Sequence, residues 1–288
     1  MFLPRKVLEE KLRKFLEEDV GQGDVTTSLT IPDDVIVEAE ISAKESGIVA
    51  GLEEALVFLE SFGLQAKAKV ADGTDVKPKM PLLNVVGNAR TLLSLERTLL
   101  NLLSRMSGIA TMTSRIVKNV RKAGYRTRIA CTRKVAPGLA YFDKKAVIIG
   151  GGDAHRLHLD DMVLIKDNHV AIVGDATQAI RKARENVSFS KKIEIEATSL
   201  EDAVKAAEAK ADIIMLDNFS PSQIKKTLRA LEKKKLRSKV LVEASGGINE
   251  GNVLEFAATG VDVLSLGEIT QSAKALDMSL EVVKVRKS

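Results

Sequence analysis

The chain carries a single cysteine, Cys131, no tryptophan and only 3% aromatic residues. One cysteine excludes an internal disulfide and a Cys-rich metal site, and it fits a reducing compartment. Few aromatics leave few platforms for stacking single-stranded bases. The net charge of +5 is modest for 288 residues, so an anionic small molecule accounts for it at least as well as nucleic acid does. Part of the surplus lies in Lys233, Lys234, Lys235 and Arg237, a run that reads as the solvated end of a helix. No apolar run approaches the roughly 20 residues of a membrane span. The N-terminus also lacks the apolar segment and small-residue cleavage site of a signal peptide. The expectation is a cytoplasmic protein with no membrane or nucleic-acid partner. What is present, 45% hydrophobic and 29% charged residues, belongs to a soluble globular chain, long enough for one large barrel or two ordinary domains.

The first third mixes element types. Apolar spacing predicts an amphipathic helix over 4–19, alternation predicts a strand over 35–41, and shorter strands fall near 65–70 and 82–86. From Ala89 to Lys122 the spacing of Leu92, Leu95, Leu99, Leu103 and Met106 is helical, with a break expected at Gly108 and a stop at Gly124. Beyond residue 125 short β-branched runs alternate with helical stretches: 127–131, 162–165, 193–196, 213–216, 240–243 and 261–266. Ser199, Ser220 with Pro221, and Asn249 read as helix starts, and Gly260 as a stop. This is the rhythm of repeated βα units, which build either an incomplete parallel barrel or an open doubly wound sheet.

In a parallel barrel the strand C-termini converge on one face. The residues at those ends are Arg133 and Lys134, Lys166 and Asp167, Glu196, Asp217, Ser245-Gly246-Gly247, and Gly267. Cations, carboxylates and glycine turns on one face suit a highly anionic substrate that also carries hydroxyls or a metal ion. The Ser-Gly-Gly turn, read as preceding a helix, would hold a phosphate through backbone N–H groups. His155, His158 and His169 sit close in sequence, but no His-Glu-x-x-His spacing is present and Arg156 and Lys166 would repel a cation. Anion binding by His155 and Arg156 is the better reading. Lys166 at a strand end would also suit a Schiff-base lysine.

More specific patterns span nearly the whole chain: Gly21-Gln-Gly-Asp-Val-Thr-Thr27, Glu96-Arg-Thr98, Thr132-Arg-Lys134, Gly150-Gly-Gly-Asp-Ala-His-Arg156, Ile165-Lys-Asp-Asn-His169, Ile193-Glu-Ile-Glu196, Met215-Leu-Asp-Asn218 and Glu243-Ala-Ser-Gly-Gly-Ile248. In this order they resemble the quinolinate phosphoribosyltransferase family. The resemblance implies an α/β fold, with an N-terminal α/β sandwich over 1–107, an incomplete parallel α/β barrel over 108–275, and a tail, 276–288, returning to the first domain. It implies transfer of phosphoribosyl from phosphoribosyl pyrophosphate to quinolinate with decarboxylation, in a homodimer or higher oligomer with shared sites. Arg97, Arg133, Lys134, His155 and Arg156 would bind the quinolinate carboxylates. Lys166, Asp167 and His169 would lie towards the pyrophosphate and the reacting ring, and Ser245, Gly246, Gly247 and Gly267 would hold the 5-phosphate. Glu196 and Asp217 would face the ribose and Mg2+, and with Lys134, Lys166 and Asp167 they form the implied catalytic set.

The chain departs from the family pattern at Val135, Ala136 and Ala140, where two hydroxyls and an arginine are usual, at Ala154 in place of asparagine and at Gln271 in place of histidine. Every charged residue assigned above remains. Two alternatives fit less well: a molybdenum-uptake-associated protein on the same scaffold, which the Lys166 to His169 segment disfavours, and a biotinyl-type binding module, which would leave the charged strand ends unexplained.

Overall fold

The computed structural model describes residues 3–286. Met1, Phe2, Lys287 and Ser288, the ends of the leader and tail expectations, lie outside them. The described residues form two compact units, one comprising residues 3–112, 148–150 and 273–286, the other Thr113–Val147 and Gly151–Ser272.

In the first unit α1 (Arg5–Val20) and α2 (Val25–Thr30) precede β1 (Ile36–Ala43), β2 (Gly47–Ile48), α3 (Leu52–Ser61), β3 (Gln65–Ala68), β4 (Asp75–Val76) and β5 (Pro81–Asn88). Alternate residues of β1, Val37, Ala39, Ile41 and Ala43, are buried, as expected of a sheet with one face on a core. β1 pairs antiparallel with β5 on one side and with the C-terminal strand Met278–Arg286 on the other. α4 (Ala89–Lys122) follows, burying Leu92, Leu95, Leu99, Leu103 and Met106 at helical spacing.

Gly108 does not break α4, contrary to expectation. A Cβ there would run into the Lys274 carbonyl oxygen, so the glycine serves close packing within one continuous helix. Gly124 does stop it, in a left-handed conformation at φ 86°.

Beyond α4 the chain runs β6 (Arg128–Cys131), α5 (Ala140–Ile149), β7 (Val163–Ile165), α6 (Asp167–Val173), α7 (Ala176–Asn186), β8 (Ile193–Ala197), α8 (Leu200–Glu208), β9 (Ile213–Asp217), α9 (Pro221–Lys233), β10 (Leu241–Ser245), α10 (Val253–Ala257), β11 (Val263–Leu266) and α11 (Glu268–Gln271). All six predicted strand runs are strands, hydrogen-bonded in parallel in the order β6-β11-β10-β9-β8-β7. From β7 onward each strand lies beside its predecessor, so right-handed crossovers put every helix on one face. The last strand then pairs with the first. This is a curled, incomplete barrel, open between β6 and β7, and it overturns the doubly wound alternative, whose strand order would reverse at a switch point. The free edge of β6 is covered by the segment around Asp153, whose N–H donates to the Ile129 carbonyl and whose carbonyl accepts from the Cys131 N–H.

Ser199 and Ser220 cap α8 and α9 as read. Asn249 instead closes the turn before α10, accepting from Gly251 N–H at 2.9 Å. Lys233 ends α9, but Arg237 is not merely solvated, since it donates to Asp262 at 2.9 Å. No helix among the described residues is long and apolar enough to cross a membrane.

Candidate active site

Strand parity decides which side chains the barrel turns inward. Residues opposite one another in parallel strands share a face. Register sets Glu196, Met215, Glu243 and Val263 in one row, and Asp217, Ser245 and Ser265 in the next. At the strand C-termini these rows open into a cavity of about 580 Å³. Arg133, Lys134, His155, Arg156 and Lys166 give it cations, and Asp167, Glu196, Asp217 and Glu243 give it carboxylates. Ser245, Gly246, Gly247 and Gly267 complete the wall beside β10 and β11.

The charges are partly matched within the site. Lys166 Nζ donates to Glu196 Oε1 at 2.5 Å, with the lysine side chain 45% exposed and the glutamate 12%. Asn218, held at φ 57°, donates from Nδ2 to Asp217 Oδ2 at 2.8 Å, and its N–H donates to the Ser245 carbonyl. That folds Asn218 over Gly246, where a Cβ would meet the Asn218 backbone nitrogen at 2.9 Å. Gly246 and Gly247 have φ of 90° and 65°, conformations glycine adopts without steric cost. The helix expected directly after them begins only at Val253, so an anion here would be held by the turn's own N–H groups and not by a helix end.

Beneath the cavity lies a buried charge cluster. His155 Nε2 is 3.0 Å from Glu243 Oε2 and 3.6 Å from Glu194 Oε2, and neither oxygen of the fully buried Glu194 has a hydrogen-bond partner among the described residues. Burial disfavours a charged ring, but the two carboxylates outweigh it and raise His155 to about 10. Burial likewise raises Glu194, against the pull of His155. The Arg156 N–H, 2.7 Å from His155 Nδ1, favours the opposite state, a ring protonated on Nε2 alone. Two carboxylates outweigh one peptide dipole at this range, and either state keeps a proton on Nε2 beside Glu243. The three groups are metal-ligating by type, with ligand atoms within 4.8 Å of one another, and in this arrangement His155 Nε2 is hydrogen-bonded to Glu243.

Since His155 is raised above its ordinary 6.5, the stability it contributes is fully present below about pH 6.5, falls as pH rises and is lost near 10. The difference in unfolding midpoint between the parent chain and His155→Gln should shrink steadily across that range. A difference independent of pH would mean that the ring carries no second proton.

The family model described as quinolinate phosphoribosyl transferase, N-terminal domain, matches residues 24–107, and its C-terminal-domain counterpart matches 109–281. The chain belongs to the quinolinate phosphoribosyltransferase family. A Methanocaldococcus jannaschii protein named probable nicotinate-nucleotide pyrophosphorylase (carboxylating) is 50% identical over 275 residues, 95% of this chain and 96% of its own length. The crystal structure of NadC from Streptococcus pyogenes is 34% identical, with a TM-score of 0.90 over 100% of this chain and 99% of that one. Nicotinate-nucleotide pyrophosphorylase from Francisella tularensis is 36% identical, with a TM-score of 0.89 over 98% of each chain.

Of the residues the family pattern singles out, the cavity gathers all but two. His169 is exposed at the start of α6, where Nδ1 accepts the Lys166 N–H at 3.0 Å. Arg97 lies in the first unit, exposed on α4 between the buried Leu95 and Leu99. The strand-end reading passed over Glu194 and Glu243, although charged residues two apart in Ile193-Glu-Ile-Glu196 were the signal for a polar inner face.

Proposed function

We propose that this chain transfers phosphoribosyl from phosphoribosyl pyrophosphate to quinolinate and releases pyrophosphate and carbon dioxide, as the names of its relatives indicate for them. The observation that carries this reading is one cavity with two chemistries: a cationic wall of Arg133, Lys134, His155 and Arg156, and a carboxylate pair, Glu196 and Asp217, beside the Gly246-Gly247 turn. A dicarboxylate suits the first and a phosphorylated sugar the second.

Breaking the anomeric C–O bond builds positive charge on the ribose and negative charge on the departing pyrophosphate, so both need partners already in place. Glu196 and Asp217 favour the cationic sugar, and Lys166 the leaving group. The ring nitrogen then bonds to the anomeric carbon, and the resulting pyridinium takes up the electron pair left when the adjacent carboxylate departs as carbon dioxide. A proton replaces that carboxylate.

Mg2+ fits this site: one oxygen of Glu196 and one of Asp217 take hydrogen bonds from Lys166 and Asn218, and the other oxygen of each takes none among the described residues. Two carboxylates together with substrate oxygens are a usual magnesium set. The ion would neutralise pyrophosphate charge. The reading further places the enzyme in the cytoplasm as a homodimer or higher oligomer, with Arg97 entering the partner's site.

The deciding assay follows pyrophosphate release and nicotinate mononucleotide formation from quinolinate and phosphoribosyl pyrophosphate, with nicotinate as control acceptor. Turnover with nicotinate but not quinolinate overturns the reading. Lys166 is ion-paired with Glu196, which opposes the Schiff-base alternative, so borohydride with carbonyl compounds should leave the mass of the Lys166 peptide unchanged. A reduced adduct there would favour that alternative.

A further inference from the structure

Lys144 on α5 has no part in the reading above, yet its side chain is enclosed, with the residue only 1% exposed. Its ammonium donates to the Ala154 carbonyl at 2.5 Å and lies 3.7 Å from Cys131 Sγ. Cys131 lines the cavity, so the ammonium stands one side chain behind the cavity wall. Enclosing an ammonium is costly, and an apolar chain of equal length would fill the space without that cost. Burial accordingly lowers the Lys144 pKa, against the help of Cys131.

What the ammonium holds is a single peptide unit. The sheet-type bonds of this segment end at Asp153, with Asp153 N–H on the Ile129 carbonyl at 2.8 Å and Cys131 N–H on the Asp153 carbonyl at 3.0 Å. The next peptide has its carbonyl on Lys144 and its N–H, that of His155, on Asp153 Oδ1 at 2.8 Å. Gripped from both sides, that plane sets the rotation at His155, which sits in the left-handed region at φ 51° although it bears a side chain. Both His155 and the 7%-exposed Arg156 are aimed by this turn.

We infer that Lys144 is a positioning residue for the acceptor substrate: by clamping the Ala154–His155 peptide it holds the turn that points His155 and Arg156 into the cavity. The inference rests on the proposed assignment of those two residues to the quinolinate carboxylates. A buried lysine that only anchored α5 would serve stability without regard to substrate.

The test is Lys144→Met, which keeps length and loses the donor. The KM for quinolinate should rise about 30-fold, while the KM for phosphoribosyl pyrophosphate and kcat change less than about threefold. Asp153→Ala, which frees the other end of the same peptide, should shift the quinolinate KM in the same direction and covers the case in which Lys144→Met does not fold. The chain has three histidines, so His155 can be assigned in NMR spectra by His155→Gln. Its ring signal should move in Lys144→Met while those of His158 and His169 stay. If the parent turns over quinolinate and neither variant raises that KM selectively, or both KM values rise together, the positioning role is wrong. If the parent shows no turnover, the functional proposal fails, and the His155 signal still decides the clamp: an unmoved signal overturns it.

Discussion

Glu196→Gln and Asp217→Asn should each lower kcat by about 10² to 10³-fold and change quinolinate affinity by less than about threefold. Both substitutions keep shape and remove charge. The charge matters because the sugar becomes cationic only in the transition state, so a carboxylate beside it stabilises that state more than the bound substrate. The two residues are not equivalent. Glu196 is the hydrogen-bond partner of Lys166, so its neutral analogue also loosens the lysine proposed to meet the pyrophosphate. Asp217 answers to Asn218, a neutral donor, and its loss leaves Lys166 paired. Glu196→Gln should therefore also raise the KM for phosphoribosyl pyrophosphate, whereas Asp217→Asn should mainly weaken the dependence of rate on magnesium. Steady-state kinetics with both substrates varied, together with calorimetric binding of quinolinate, separates these effects. A variant that loses quinolinate binding but turns over bound substrate normally would reverse the assignment.

Much of the barrel was legible because its strands obey local rules. Runs such as Ile213 to Leu216 are β-branched or apolar on both faces, as buried parallel strands must be, and the polar residues that follow them fall at the strand ends. Strand order was less accessible. The closure of β11 onto β6 joins residues more than a hundred positions apart, and only the family pattern pointed to it. Gly108 was misread because glycine in a helix is locally a breaker, while the Lys274 carbonyl that requires it lies far along the chain. Glu194, Glu243 and Lys144 were missed for a related reason. A charged side chain is read by default as solvated, and the partners that make burial tolerable, His155 and the Ala154 carbonyl, come from other elements. The α10 start failed differently, since Asn249 caps a turn as readily as a helix.

Arg97→Ala and Lys134→Ala, each inactive alone, should regain activity when mixed and allowed to exchange subunits. Arg97 is exposed on α4, a helix whose buried face is the leucine stripe through Leu95 and Leu99, so packing gives no reason for an arginine there. Its neighbour Thr98 is occupied locally, donating to Asp19 at 3.2 Å. The proposed shared site supplies a reason: there the arginine would enter the partner's cavity and bind a quinolinate carboxylate. A guanidinium fork makes two parallel hydrogen bonds to a carboxylate, which an ammonium cannot reproduce, so Arg97→Lys should raise the quinolinate KM by 10-fold or more although charge is kept, roughly the 1.5 to 3 kcal/mol of a charge-assisted bond. In a mixed dimer of Arg97→Ala and Lys134→Ala chains, one of the two sites receives an intact Arg97 and an intact Lys134, and the other receives neither. With random exchange half of the dimers are mixed, so total activity should reach about one quarter of the parent's per site, set by subunit statistics and independent of the strength of any contact. Exchange is verified separately with mass-labelled chains. If confirmed mixed dimers stay as inactive as the two parents, Arg97 serves its own chain, and the shared-site arrangement is wrong.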